Sequence, residues 1–329
     1  LGDVYKRQVY RATMSYLDWR VYGFFFSFIA VMFRAFYVST TNTKILTANS
    51  VVMVLTNVVL NYILIFGKFG FPVLGIAGAA IASSISEAVS VMFFVIYTWK
   101  KVDYKKYGLF RFTRVDFRML GQILSVSIWV MIQHGIAFGG WFIFFIAMEH
   151  LGERPLAITN VVRSISSFLF MFVNAFASTN SSLVSNLIGA GESDRVLPLC
   201  WRMIGLCYAF VLPIGILIAM FPSTVLRIYT DNPDLIASSI PSLWVMLSSY
   251  LFAVPGFIYF FSVSGTGNTR RALEIDMASI FVYVLYILYV AVWLRADVAV
   301  CWTTEYVYNI MILSSFFYLW KGNWRNKKI

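Results

Sequence analysis

Nine long apolar segments limit what this chain of 329 residues can fold into. Each is long enough for an α-helix to cross the hydrocarbon core of a bilayer. Backbone polar groups in a bilayer must be satisfied internally, so the segments predict an all-α polytopic membrane protein. With 60% hydrophobic and 12% charged residues, a soluble protein of nine buried helices would have almost no polar surface, and we discard that class. The segments are residues 21–38, 45–66, 73–98, 119–149, 155–180, 199–226, 235–262, 273–294 and 298–320.

A short motif of asparagine, threonine and a basic residue occurs twice, after the first and after the seventh segment. Asn42 begins the first copy and Asn268 the second, 226 residues later, which is too long a period for a solenoid. Six segments lie between the copies, and an even number returns the chain to the same side of the membrane. The sequence therefore predicts two homologous halves that repeat in the same orientation.

The place of the motif within each half predicts how many helices the halves contain. Two segments follow the second copy, so each half has six helices and the motif follows the fourth. Only one segment precedes the first copy, so the first half should lack three helices at its front. We expect an N-terminally truncated fragment, a two-lobe helical bundle with nine of twelve transmembrane helices present.

These segments and the composition between them divide the chain into five parts. The polar stretch from Leu1 to Gln8 matches neither half, so the first part is expected to be non-helical or non-native. The parts are the N-terminus at 1–19, a partial first lobe of three helices at 20–98, a basic cytoplasmic linker at 99–118, a second lobe of six helices at 119–320, and a basic cytoplasmic tail at 321–329.

The net charge of +11 is distributed unevenly across the predicted membrane. Sixteen basic residues fall on the side of the two motif loops and four on the other, so these loops and the C-terminus are expected to be cytoplasmic. The expected partner of the basic loops is anionic lipid rather than nucleic acid. Four further basic residues precede the first segment, on the predicted outer side, and do not follow the rule that basic residues are in excess on the cytoplasmic side: Lys6, Arg7, Arg11 and Arg20. The sixteen are Lys44, Lys100, Lys101, Lys105, Lys106, Arg111, Arg114, Arg118, Arg195, Arg202, Arg270, Arg271, Lys321, Arg325, Lys327 and Lys328.

Glu87 is the only carboxylate near the middle of a first-lobe segment. It shares a helix face with Ser83 and Ser90, and Asn57 and Asn61 lie four residues apart on one face of the preceding segment. A carboxylate at this depth persists only if it is neutral, paired with a cation or wetted by a cavity. Glu87, Asn57 and Asn61 are the candidate ion-coupling residues. The alternative is that Glu87 is a protonated hydrogen-bond donor to its polar neighbours.

Polar residues in the second lobe are the candidates for lining a substrate cavity. Asn160, Arg163 and Asn174 lie on one stripe of a single segment. That segment has no acid placed to neutralise Arg163, so we expect it to face water or an acid from another helix. Gln133 and His134 lie at mid-depth in the preceding segment. His134 is interpreted either as a proton relay or as a neutral, hydrogen-bonded side chain.

Other reactive residues predict no catalytic chemistry. Glu305 and Asn309 lie four residues apart in the first turns of the last segment and are expected to be interfacial. The three cysteines predict neither a disulfide nor a metal site, and no cofactor is expected. Phosphate-loop, HExxH and GxSxG motifs are absent, as are paired carboxylates within the segments, so the chain is not expected to be an enzyme.

Three stretches resemble the multidrug and toxic compound extrusion (MATE) family. The resemblance implies a monomeric antiporter of two six-helix lobes in the bacterial inner membrane. Such a protein exports drugs, organic cations or metabolites by rocker-switch alternating access, in exchange for protons or sodium. The stretches are NVVLNYILIFGKFGFPVLGIAGAAIAS at 57–83, AITNVVRSISSFLFM at 157–171 with SSLVSNLIGAGESDR at 181–195, and VSGTGNTR at 263–270.

The chain departs from the family pattern at several positions. Family members often carry Asp where this chain has Asn61, and sodium-coupled members carry acids in the seventh and tenth helices, where it has Ala137 and Ala253. We therefore favour the proton over sodium as the coupling ion. A flippase of lipid-linked oligosaccharide from the same superfamily is the alternative; it would need a strongly cationic lumen, for which only Arg163 and Arg34 are candidates. The duplicated halves argue against a receptor.

Overall fold

The computed structural model describes residues 2–103, 106–108, 116–322 and 324. The chain forms two compact units, Leu1–Arg114 and Val115–Ile329, called here the first and second units. Their boundary falls within the stretch predicted to be a linker. Part of that linker and most of the tail lie outside the described residues, and these parts include the basic residues Lys105, Arg111, Arg114, Arg325, Lys327 and Lys328.

The first unit contains three helices, α1 (Gly2–Ser39), α2 (Lys44–Phe66) and α3 (Gly75–Lys101). Helix α3 packs against both α1 and α2. Small residues at the start of α3 make this packing close, because a Cβ on Gly78 would lie 2.7 Å from the carbonyl oxygen of Leu64. The glycine- and alanine-rich sequence of α3 thus brings its backbone directly against α2.

The N-terminal part of the first unit is helical. Helix α1 is continuous from Gly2, and its portion Tyr10–Ser39 is long and apolar enough to cross a membrane. Of the two alternatives for residues 1–19, non-helical backbone is therefore wrong. The stretch from Gln8 to Arg20 contains neither Pro nor Gly, so nothing in it interrupts a helix that the apolar segment continues.

The second unit is arranged around one buried helix, α8, which contacts α5, α6, α9, α11 and α12. Pro241 and Pro255 lie inside α8 and Pro213 inside α6, where neighbouring helices can compensate for the lost backbone hydrogen bonds. The helices are α4 (Phe117–Leu151), α5 (Glu153–Gly189), α6 (Val196–Met220), α7 (Pro222–Leu226), α8 (Pro233–Gly265), α9 (Thr269–Ile287), α10 (Val298–Cys301), α11 (Thr304–Leu313) and α12 (Ser315–Lys321). A 3₁₀ turn at Ser193–Arg195 precedes α6, and α9 continues as a π-helix over Leu288–Trp293.

The last apolar segment differs from a single spanning helix. Eight helices in the described part of the chain are long and apolar enough to cross a membrane, whereas residues 298–321 form three short helices in succession. At the first break the hydroxyl of Thr303 donates to the Val300 carbonyl and that of Thr304 to the Cys301 carbonyl. Such side-chain bonds compete with the helical ladder. The all-α membrane fold is confirmed, with the ninth segment broken.

The second copy of the repeated motif joins several helices of the second unit. A Cβ on Gly265 would lie only 2.5 Å from the carbonyl oxygen of Ser181, so glycine allows α8 to touch α5 here. Asn268 caps α9 by accepting from the backbone N–H of Arg271, and its amide donates to the hydroxyl of Tyr318 at 2.8 Å. The motif is thus a structural junction at the ends of α8 and α9.

Candidate functional site

An ion pair lies between α1 and α3 in the first unit. Nη2 of Arg20 is 2.6 Å from Oε1 of Glu87, and the two side chains are only 21% and 15% exposed. Arg20 was predicted to precede the first apolar segment, and in the structure it lies on the same continuous helix, α1, as that segment. A carboxylate at this depth was expected to be neutral, paired with a cation or wetted by a cavity, and the structure shows Glu87 paired with a cation.

Gly23 lies one turn after Arg20 and makes the ion pair sterically possible. A Cβ at this position would lie 2.5 Å from Nη1 of Arg20, 2.6 Å from Oε2 of Glu87 and 2.8 Å from Oγ of Ser84. Those two atoms of the ion pair are buried and have no hydrogen-bond partner. The pair therefore fills the space that glycine leaves between α1 and α3.

The two amides of α2 form a separate polar chain. Asn61 donates to Oδ1 of Asn57 at 2.9 Å, and Asn57 donates to the hydroxyl of Ser83 on α3 at 3.4 Å. Ser90 of α3 accepts from Asn49 of α2 at 2.8 Å. The polar face predicted for α3 is thus divided, because Ser83 and Ser90 bond to α2 while Glu87 bonds to α1.

A cavity of about 410 Å³ lies inside the second unit, among α4, α5, α8, α9 and α11. Four of the five predicted cavity residues line it, Gln133, His134, Arg163 and Asn174. Asn160 does not: it is exposed, one turn nearer the start of α5 than Arg163. The aromatic residues of the lining are Phe138, Trp141, Phe170, Tyr250, Phe257, Phe260, Phe261, Tyr283 and Tyr308.

Arg163 interacts with aromatic rings. Its guanidinium carbon lies 4.9 Å from the ring centroid of Trp141 and 4.4 Å from that of Phe145, both on α4. The described residues include no ion pair to Arg163, so the alternative of an acid from another helix is not observed. Two aromatic faces stabilise this charge at the cavity instead.

Asp276 of α9 is a cavity residue that the sequence analysis missed. It is 2% exposed, and its Oδ1 accepts a hydrogen bond from Oη of Tyr308 at 3.0 Å. The side chains of Gln133 and His134 lie near the same carboxylate. A signal was present in the sequence, because Asp276, Ser279 and Tyr283 recur at helical spacing on one buried face of α9.

Glu305 and Asn309 also line the cavity, so their expected interfacial position is wrong. Asn309 is only 3% exposed. The reason is that α11 begins at Thr304 and packs against both α8 and α9, which turns its polar face inward. Asp276 and Glu305 both line this cavity, from α9 and α11.

One fully buried hydroxyl in the described cavity lining has no hydrogen-bond partner. Oη of Tyr283 is buried and makes no hydrogen bond among the described residues, although Tyr283 as a whole is 5% exposed and lines the cavity. Tyr250 differs, because its hydroxyl donates to the Ser166 carbonyl at 2.7 Å. A buried, unsatisfied hydroxyl is unfavourable, and a bound ligand or water would satisfy it.

Sequence relatives of the chain are named as probable multidrug resistance proteins or, in one case, as a transporter. A family model described as MatE matches residues 130–292. The chain is 28% identical over 239 residues to the probable multidrug resistance protein NorM of Thermotoga maritima, covering 72% of this chain and 50% of the relative. It is 30% identical over 205 residues to the protein of the same name in Bacillus cereus, covering 59% and 42%. The chain spans about half the length of the curated relatives it matches.

Solved structures with the same fold extend over most of the chain. A crystal structure of a mutant of the Vibrio cholerae MATE transporter VcmN aligns with a TM-score of 0.80 at 17% identity, covering 95% of this chain and 70% of that one. An outward-facing multidrug resistance MATE family transporter aligns with a TM-score of 0.74 at 18% identity, covering 84% and 61%. At these identities the likeness concerns the fold.

Proposed function

We propose that the chain is a member of the MATE family and that the protein is a secondary active antiporter that exports drugs, organic cations or metabolites by rocker-switch alternating access. Its relatives are named as multidrug resistance proteins and transporters, so it is grouped with transport proteins and not with enzymes. We propose exchange against protons, with sodium as the alternative ion, and a location in the bacterial inner membrane.

The single observation that carries the substrate class is the cavity of the second unit. Nine aromatic side chains line it together with Asp276 and Glu305. Aromatic faces attract cations through their quadrupole, and a carboxylate supplies the opposite charge. An anionic lipid-linked oligosaccharide would meet two carboxylates and one arginine here. The lining therefore favours an organic cation over the substrate of a flippase.

Ion coupling in the first unit is proposed at Glu87, with Asn57 and Asn61 as neighbouring polar groups. The ion pair with Arg20 sets a condition on this proposal, because an ion that neutralises Glu87 leaves the guanidinium of Arg20 without its counter-charge. An uncompensated buried charge is costly, so ion binding has to accompany a conformational change.

The orientation and lipid contacts follow from the charge distribution and are proposed on that basis. We propose that the motif loops and C-terminus face the cytoplasm and that the protein works as a monomer. Arg195, Arg202, Arg270 and Arg271 are exposed at the predicted cytoplasmic ends of their helices, where they can contact anionic lipid headgroups. Arg270 also lies over the ring of Trp129, 5.6 Å from its centroid.

Transport can be tested with the purified full-length protein in proteoliposomes loaded with ethidium. An imposed proton gradient should drive ethidium out, and a sodium gradient at equal pH should drive it less. Protein-free vesicles, and vesicles treated with a protonophore, are the controls. Efflux that responds to neither gradient would contradict the antiport proposal, and preferential movement of an anionic lipid would favour the flippase.

A further inference from the structure

Arg163 is a cation in the cavity lining without a fixed counter-charge. It is exposed at the cavity of the second unit, and no ion pair or hydrogen bond to its guanidinium is present among the described residues. A guanidinium carries five N–H donors and no acceptor. Within an apolar helix such donors are satisfied by water or by an anion that enters the cavity, so they are available to a ligand.

The aromatic contacts of Arg163 hold the guanidinium in place and leave its donors free. Trp141 and Phe145 lie four residues apart on α4, so both rings lie on one face of that helix. The guanidinium carbon is 4.9 Å and 4.4 Å from their ring centroids. An aromatic ring stabilises the charge without supplying an oxygen acceptor. The N–H groups of Arg163 can therefore bind an oxyanion while the rings keep the side chain in position.

A hydroxyl donor lies next to Arg163 on the same face of α5. Ser167 follows it by four residues, lines the cavity, and makes no hydrogen bond among the described residues. The neighbouring Ser166 differs, because its hydroxyl and its carbonyl both pair with Tyr250. Arginine binds a carboxylate through two parallel N–H···O bonds, and a serine hydroxyl one turn away can donate a third bond.

The nearest described acid in the depth of the cavity lies at a different level from Arg163. Asp276 lies near His134 of α4, whereas Arg163 lies at Trp141 of the same helix. Seven residues separate His134 from Trp141, which is about 10 Å along a helix axis. No ion pair joins Arg163 to an acid among the described residues. One cavity thus presents a negative and a positive group that do not neutralise each other.

We propose that Arg163 and Ser167 form an anion subsite in the cavity of the second unit, which takes the carboxylate of a zwitterionic organic molecule whose cationic part lies towards Asp276. The inference rests on the proposed export of organic cations and narrows the preferred substrates to cations that also carry a carboxylate. A ligand with only a positive charge is repelled by Arg163. A ligand with only a negative charge meets the two acids of the lining, whereas a zwitterion is attracted at both ends.

Two phosphonium probes that differ in one charge test this subsite. Carboxyheptyl-triphenylphosphonium is a zwitterion whose chain can span the distance from Asp276 to Arg163, and its carboxamide has the same shape without the negative charge. Titration calorimetry measures both dissociation constants on the purified full-length protein in detergent. We expect the wild-type protein to bind the carboxylate about tenfold more tightly than the carboxamide. Equal binding, or tighter binding of the carboxamide, would overturn the proposal.

Substitution of Arg163 assigns this preference to the guanidinium. Arg163→Gln removes the charge, so it should bind the carboxylate probe about tenfold more weakly and the carboxamide no more weakly than wild type. Arg154→Gln is the matched control on α5, because Arg154 is exposed near the start of the helix and bonded to Ser238 outside the cavity. It should bind both probes as wild type does. An equal change for both probes in Arg163→Gln, or unchanged carboxylate binding, would contradict the role of Arg163.

A second variant keeps the test decisive if Arg163→Gln fails to fold. Ser167→Ala removes only a hydroxyl that has no partner among the described residues, so the fold should be retained. We expect its preference for the carboxylate over the carboxamide to fall about threefold. An unchanged preference would remove Ser167 from the subsite. The comparison of the two probes on wild-type protein needs no substitution and tests the carboxylate preference by itself.

These binding measurements can fail independently of the proposed antiport function. Binding in detergent needs no gradient, whereas antiport is measured by efflux of ethidium from proteoliposomes. If ethidium efflux responds to a gradient but the two probes bind alike, the carboxylate subsite is wrong and antiport stands. If the carboxylate preference depends on Arg163 but efflux responds to neither gradient, antiport fails and the subsite stands.

Discussion

The guanidinium of Arg20 on α1 and the carboxylate of Glu87 on α3 are 2.6 Å apart, although 67 residues separate them in the sequence. This ion pair is largely buried and joins two helices of the first unit. In such a position the desolvation of both charges opposes their attraction. Substitutions of Arg20 and Glu87 therefore show whether this ion pair stabilises the fold of the first unit or serves another role.

We predict that removing one partner is more harmful than removing both. Arg20→Met or Glu87→Met alone should lower the free energy of unfolding by about 3 kcal/mol, because each leaves an unpaired buried charge. The double variant should recover most of that loss. Chemical unfolding in detergent of all four proteins measures the coupling energy, and additive losses would show that the two charges do not interact.

Gly23→Ala should also disturb this pair. The new Cβ would lie within 2.8 Å of side-chain atoms of Arg20, Glu87 and Ser84, so the ion pair has to rearrange, with a loss of about 1–3 kcal/mol. Gly205→Ala in α6 is the control, because nothing lies within 4 Å of its Cβ position. That control should be neutral or stabilising by up to about 1 kcal/mol. Equal stability of Gly23→Ala and wild type would mean that the Arg20 and Glu87 side chains can rearrange without loss of their interaction.

If ion coupling runs through Glu87, Glu87→Gln should lose proton-driven ethidium efflux and still bind the probe. The substitution keeps the side-chain shape and removes the exchangeable charge. The double variant Arg20→Gln with Glu87→Gln leaves no unpaired charge, so it separates a folding defect from a coupling defect. Asp103→Asn, exposed in the same unit, is the charge control. Wild-type efflux with an unchanged pH profile in Glu87→Gln would remove Glu87 from the coupling mechanism.

Most of the helices could be predicted from apolar segment length alone. The segment 45–66 became Lys44–Phe66, and 73–98 became Gly75–Lys101. Some helices extend beyond their apolar segment and were therefore predicted too short. Their ends are set by polar capping residues, which the length of an apolar segment does not include. Asp116 starts α4, for example, by accepting from the backbone N–H groups of Arg118 and Met119.

Much of the candidate site could not be predicted, because it depends on which helix faces meet. Asp276 lies four residues into its segment, and Glu305 begins another, both at depths where an acid usually reaches the interface. Only the packing of α11 against α8 and α9 brings them into one cavity. The pairing of Glu87 with Arg20 likewise has no local signal. Arg163, Gln133, His134 and Asn174 were predictable because each is polar within a long apolar segment.

The predicted orientation can be tested by cysteine labelling, since Cys200, Cys207 and Cys301 are all buried. Thr41→Cys and Glu192→Cys place an exposed thiol in loops predicted to be cytoplasmic. In intact cells a membrane-impermeant maleimide should react with neither of them. Asp231→Cys, exposed on the predicted opposite side, should react without permeabilisation. Labelling of Thr41→Cys from outside would reverse the orientation.

Arg163 provides a test of the cavity as a site for organic cations. It is the one arginine in the described lining, and its positive charge should repel a cationic substrate. We predict that Arg163→Gln binds tetraphenylphosphonium a few-fold more tightly than wild type and loses about 0.5–1 kcal/mol of stability with the contacts to Trp141 and Phe145. Arg202→Gln on α6, exposed and outside the cavity, should change neither quantity. Titration calorimetry on the three proteins measures the affinity. Weaker binding by Arg163→Gln would mean that the arginine itself contacts the substrate, and an anionic ligand would then suit the cavity better.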